Sequence, residues 1–290
     1  MGLDTVLHRP EQVPSRSLKI GFVVGASVGV LGGLIGLGGA EFRLPLLIGL
    51  FGFMALQAII LNKAMSLIVV ATALPARLLG VPLHDLVAEW DVAVNLLAGS
   101  LLGAWLGATW ATRMASATLY RVIAALLVLI AVALAANHVG TIPSLDLSTG
   151  AQVVAGVAAG LVIGIIAALM GVAGGELLIP TIVLLYAVDL KLAGSLSLAV
   201  SLPTMLVAFA RYSRDGSFVV LREHRRFVLT MAAGSVTGTI VGGLMLGVVP
   251  TGVLVPLLVA LLLASSLKVW RHNHGPLLQA PPAAASTHDQ

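Results

Sequence analysis

The sequence predicts an all-α, polytopic integral membrane protein made of two inverted-topology repeats, each containing a broken or re-entrant helix. Three observations predict it: the composition, the spacing of apolar segments between basic residues, and an internal repeat. Of 290 residues, 59% are hydrophobic and only 10% are charged, and the mean hydropathy is +1.06. A soluble domain carries about 25% charged residues, so here too few ionic side chains exist to cover a water-facing surface, and much of that surface faces lipid. The net charge of +4 and the pI near 9.9 do not mark a nucleic-acid binder, because the basic residues sit between apolar runs rather than in one stripe. With no cysteine in the chain, disulfides, thiolate metal sites and thiol redox chemistry are excluded.

The elements follow in order. Residues 1–19 read as a cytoplasmic N-terminal tail. The first apolar run comes after Lys19 and leads into others, so it reads as a first membrane helix rather than a cleaved signal. A hydrocarbon core of about 30 Å needs about 20 apolar residues per helix. On that basis residues 20–136 form a first membrane repeat with segments at Ile20–Leu37, Leu44–Phe53, Leu56–Leu79, Val92–Thr112 and Leu119–Ala136. Residues 137–150 form an external linker. Residues 151–272 form the second repeat, with segments at Ala151–Met170, Leu177–Val188, Leu190–Ala210, Phe227–Val248 and Val253–Leu267. Residues 273–290, rich in Pro and Ala, read as a disordered cytoplasmic tail. The segments beginning at Leu44 and Leu177 are too short to span comfortably, and each is expected either to cross or to re-enter with its predecessor.

The basic residues orient the chain. Arg9, Arg16 and Lys19 precede the first segment, Arg113 and Arg121 flank one loop, Arg211 to Arg226 another, and Lys268 and Arg271 follow the last. All fall on one side, whereas Gly80–Asp91, Asn137–Gly150 and the turn at Pro250 on the other side contain no Lys or Arg. Five segments per repeat or three give the same parity, with both termini cytoplasmic in a cell membrane. Trp90, Trp110, Tyr120, Tyr212 and Trp270 lie near segment ends, where amphipathic rings favour the interface.

A shift of 135 residues, without a gap, aligns Gly36 with Gly171, Gly39 with Gly174, Glu41 with Glu176, Pro45 with Pro180 and Ser66 with Ser201. It also aligns Gly99, Ser100, Gly103 and Gly107 with Gly234, Ser235, Gly238 and Gly242. Apolar matches arise by chance in membrane proteins, but matched Glu and Pro at one offset do not. With an odd number of segments per repeat the second half is inverted, an architecture of secondary transporters. The spaced glycines on the later segments read as helix-packing seams.

Each repeat opens on a glycine box: Gly36, Gly38 and Gly39 before Glu41 and Pro45, and Gly171, Gly174 and Gly175 before Glu176 and Pro180. Glycine clusters break a helix and let backbone approach closely. Glu and Pro are expected in the first turn of the helix that follows. The free N–H groups of such a helix start can hold an anion, while the alternative use of the glycines is tight packing alone. Glu41 and Glu176 are the acidic residues placed inside apolar segments, where an ionised group costs about 3 kcal/mol. They read either as a proton-coupling pair or as caps with Arg43 or Lys63 for charge partners. If the substrate is an anion, its ligands are the box glycines with Asn62, Lys63, Ser195 and Ser197; Lys63 could instead reach for the interface, and Arg77 and Arg211 read as boundary anchors.

The paired boxes ending in Pro, Asn62-Lys63 after the first and Ala193-Gly194-Ser195 after the second resemble the TauE/SafE family of sulfite-exporter-like membrane proteins over Ile20–Lys268. The resemblance implies transport of a small anion such as sulfite or an organosulfonate, with lipid as surroundings. The boxes depart from the usual triple glycine, reading Gly38-Gly39-Ala40 and Ala173-Gly174-Gly175. Two other functions compete: a cation or metal transporter using Glu41 and Glu176 as ligands, and a membrane scaffold or sensor without flux. No enzyme, cofactor or metal site is expected, since all seven histidines fall outside the apolar segments and neither box carries the Lys-Ser/Thr of a phosphate loop.

Overall fold

The computed structural model describes residues 15–35, 39–78, 83–139, 147–214, 218–245 and 251–272. Gly36 and Gly38, most of the N-terminal tail, the middle of the 137–150 linker and the C-terminal tail lie outside the described residues. The first six helices are α1 (Ser15–Ile35), α2 (Ala40–Gly49), α3 (Ala55–Leu78), α4 (Leu83–Ala88), α5 (Trp90–Arg113) and α6 (Ser116–Val139). The second six are α7 (Thr149–Met170), α8 (Gly175–Tyr186), α9 (Leu190–Ser213), α10 (Val219–Glu223), α11 (Arg225–Leu244) and α12 (Thr251–His272). The 135-residue shift carries each helix of the first set onto its counterpart in the second; α3 moved by 135 has the bounds of α9. The short α4 and α10 were not expected, because a helix of one or two turns carries no periodic apolar signal.

Side-chain contacts settle how the short segments behave. Gln152 in the first turn of α7 donates to the carbonyl of Leu185 in the last turn of α8 at 2.5 Å. The α7–α8 pair therefore returns to the face it started from. The α1–α2 pair does the same: the ring of Phe227 packs against Gly21 near the start of α1 and meets Phe51, just past α2, edge-on at 4.8 Å. By length and composition α7 alone is able to cross a bilayer, as are stretches of α3, α5, α6 and α9 among the described residues. Its net displacement is cancelled by α8. Each repeat is one hairpin followed by three long helices, with a short helix between the first two of them.

An odd number of long helices after each hairpin inverts the second repeat, and the contacts agree. The start of α3 meets the start of α6, where the Ala55 N–H donates to the Tyr120 hydroxyl at 3.2 Å. The α5 helix ends on that same face, being joined to α6 by the short turn at Met114. On α1, an added Cβ at Gly25 would land on the Met231 carbonyl of α11 and one at Gly29 on that of Ser235, so α1 and α11 run parallel. Likewise Gly99, Gly103 and Gly107 of α5 lie against the carbonyls of Val157, Leu161 and Ile165 of α7, again parallel. Thus α5 runs toward the face that α11, its counterpart, leaves. These glycines are the expected packing seams, with a reciprocal set (Gly25, Gly29, Gly156, Gly160, Gly164) on the hairpin limbs that the repeat comparison did not single out.

One face collects the exposed basic residues Lys19, Arg113, Arg121, Arg222, Arg225 and Lys268. Glu89, Asp91 and Asp189 lie at the helix starts of the opposite face. Trp90, Trp110 and Trp270 are exposed near helix ends, as interfacial rings should be. Tyr120 and Tyr212 differ from that expectation: both are buried, and the Tyr212 hydroxyl donates to the Ala168 carbonyl at 3.0 Å, so they tie helices together.

Candidate functional site

Both glycine boxes make helix breaks, and the breaks have a common construction. The Gly39 residue before α2 (φ 71°) and Gly174 before α8 (φ 85°) adopt the left-handed conformation, which a residue with a Cβ resists. Gly171 (φ 68°) closes α7 in the same way: its N–H reaches the Ala168 carbonyl and that of Val172 the Ala167 carbonyl, the pairing of a Schellman turn. Glu41 and Glu176 stand in the first turns of α2 and α8, as expected. The prolines do not. Pro45 and Pro180 are each the sixth residue of their helix, so what they remove is the intrahelical donor to the carbonyl of Glu41 or Glu176 four residues back.

The second hairpin's tip is held by side chains along its carbonyls. Lys63 donates to Ala167 and Val172, both at 2.8 Å. Asn62 donates to Met170 at 3.1 Å, Ser66 to Gly171 at 3.3 Å, and Ser201 to Ala173 at 2.8 Å. Asn62 also donates to the Ala40 carbonyl at 3.0 Å, so one α3 side chain spans the two hairpin tips. Carbonyls at a helix end carry partial negative charge, and the Lys63 ammonium is the group that answers it.

Arg43 occupies the other side of Asn62. It is wholly buried, and its guanidinium donates from Nε to Asn62 Oδ1 at 2.7 Å, from Nη1 to Ser235 Oγ at 3.0 Å and from Nη2 to Ser66 Oγ at 2.6 Å. Reading along the chain treated Arg43 only as a charge partner for Glu41; its partners lie up to 192 residues away, and the one signal for them was the matched serines of the repeat. The carboxyl groups of Glu41 and Glu176 are 2% and 6% exposed and neighbour each other. Glu41 Oε1 and both Glu176 oxygens accept no hydrogen bond.

Of the residues expected to line a site, Gly39, Gly171, Gly174, Gly175, Asn62 and Lys63 come together with Glu41 and Glu176 at the two tips. Ser197, one turn before Ser201 on α9, bonds the Gly194 carbonyl of its own helix at 2.9 Å. Ser195, two residues before Ser197 and so on a different side of the helix, is fully buried on α9. Arg211, buried at the end of α9, donates to Thr109 at 2.9 Å and lies 5.7 Å from the Trp105 ring centre, consistent with an anchor.

Two hairpins meeting tip to tip, inverted with respect to each other and built on broken helices with buried ionisable groups, define a polytopic membrane transporter. Comparison with known families agrees, and specifies which. The family described as Sulfite exporter TauE/SafE matches residues 2–134 and 155–288, and the chain belongs to that family. No curated protein and no solved structure matches significantly.

Proposed function

We propose that this transporter carries a small oxyanion of the sulfite or organosulfonate class, outward, with proton coupling at Glu41 and Glu176. The observation that carries the reading is the pairing of two buried helix starts, at Gly39 and Gly174-Gly175, with the cations Arg43 and Lys63 beside them. Unpaired N–H groups and the positive end of the helix dipole favour negative charge there. Two buried cations raise the energy of a further cation in the same place, which weighs against a divalent metal as cargo. Asn62, Lys63 and Gly171 stand at the tips and are the proposed ligands with Ser195 and Ser197 of α9; Gly36 and Gly38 lie outside the described residues. Proteoliposomes test this: labelled sulfite should exchange for unlabelled sulfite inside, and divalent metal should not enter. Metal uptake abolished by Glu41→Gln, with no anion exchange, would sink the reading.

We further place the basic face in the cytoplasm. The chain has no cysteine, so single-cysteine variants report topology without background. Ser116→Cys and Arg222→Cys should resist an impermeant thiol reagent applied to whole cells, while Ser148→Cys should react. Reaction of Ser116→Cys with protection of Ser148→Cys would reverse the orientation. Labelling of Ser116→Cys and Arg222→Cys from different sides would contradict the inverted repeat itself.

A further inference from the structure

We infer that Arg43 is the residue that grips the anionic head of the substrate, and that this grip belongs to the first hairpin alone. The inference rests on the anion-transport reading above and gives its site a one-sided chemistry.

A guanidinium at 0% exposure within a bilayer carries a desolvation cost that a contacting carboxylate would ordinarily offset. Here the contacts are an amide oxygen and two hydroxyls, from Asn62, Ser66 and Ser235, all neutral. Glu41 acts on the guanidinium only through space. Arginine has five N–H donors. Three are used on these partners, which leaves one N–H on each of the two terminal nitrogens. A guanidinium fork matches two oxygens on one centre, so the ligand class is an oxyanion such as sulfite or a sulfonate head rather than a spherical halide. The three neutral partners set the plane of the fork. Asn62 ties it to both tips through the Ala40 and Met170 carbonyls, and Ser235 ties it to α11 of the opposite repeat.

The second repeat has the same cradle without the cation. Shifted by 135, Arg43 becomes Leu178 and Lys63 becomes Leu198. Ser100, the counterpart of Ser235, pairs with the Thr204 hydroxyl at 2.8 Å instead, and Leu178 is buried among Ile163, Ile182 and Leu196. The backbone architecture is duplicated and the charge is not. One anion is therefore bound per site, against hairpin 1.

The test uses the purified full-length chain with sodium sulfite and sodium methanesulfonate as probes and matched sodium chloride as control. Wild type should show saturable binding by thermal shift and calorimetry. Arg43→Gln should weaken it at least tenfold. Arg43→Lys, which keeps the charge and loses the fork, should weaken methanesulfonate at least fivefold. Since a buried arginine also supports the fold, the Ser66→Ala/Ser235→Ala variant provides the second arm: it should raise the KM for counterflow at least threefold with kcat little changed. Wild-type affinity in folded Arg43→Gln, or an unchanged KM in the serine variant, overturns the assignment of Arg43 while sulfite exchange by those same variants leaves the transport reading standing. If wild type neither binds nor exchanges either probe, the transport reading falls and this inference with it.

Discussion

Proteoliposomes containing the Glu41→Gln/Glu176→Gln variant are expected to equilibrate labelled sulfite across the membrane yet fail to accumulate it against its gradient when a pH difference is imposed. The loss of driven accumulation should be at least about tenfold, with passive counterflow within about threefold of wild type. The reason lies in the carboxyl pair. Both groups are buried, they neighbour each other, and three of their four oxygens accept no hydrogen bond. Two like charges in contact repel by about 4 kcal/mol at an effective dielectric of about 20, and a proton shared between them removes that repulsion. Glutamine keeps the shape of the side chain and removes the titratable proton. Undiminished accumulation in the variant would show that the pair has no part in coupling.

Replacing Lys63 by methionine should lower the thermal midpoint more than any other single change at the tips. The ammonium donates to the Ala167 and Val172 carbonyls at 2.8 Å each, in the last turn of α7 and just past its end. The Ala167 carbonyl keeps the Val172 N–H, while methionine takes this donor from the Val172 carbonyl. Leaving a buried acceptor without its donor costs about 1–3 kcal/mol, or on the order of 2–6 °C in midpoint for a chain of this size. A direct substrate role makes the opposite forecast: a normal midpoint, with sulfite exchange lost. Scanning calorimetry of Lys63→Met with and without sulfite separates the two, and an unshifted midpoint would discard the clamp.

Much of the fold could be seen in the chain itself because its cause is one-dimensional. The ten longer helices and their duplication follow from segment length and a single offset, which Glu41/Glu176 and Pro45/Pro180 share, whereas the short α4 and α10 left no such trace. The left-handed turns at Gly39 and Gly174 were likewise legible, since glycine adopts them without the steric cost a Cβ brings. What stayed hidden depends on three dimensions. Nothing in the sequence around Arg43 says that Ser235 will meet it, nor that Asn62 will reach both tips. Tyr212 has the look of an interfacial ring and proves to be a buried brace, because helix-end position does not tell which way a side chain faces. The prolines fell a turn later than expected, since the residues preceding them already satisfied the helix start.

The parallel seams carry a mechanical consequence. Limb α1 is fused by backbone-to-backbone contact to α11, and α7 to α5, so the rigid pieces of this molecule are chimaeras, each drawing on both halves of the polypeptide. An excised half would lack the wall its own hairpin leans upon. Two identical halves could supply that wall for one another only by inserting in opposite senses.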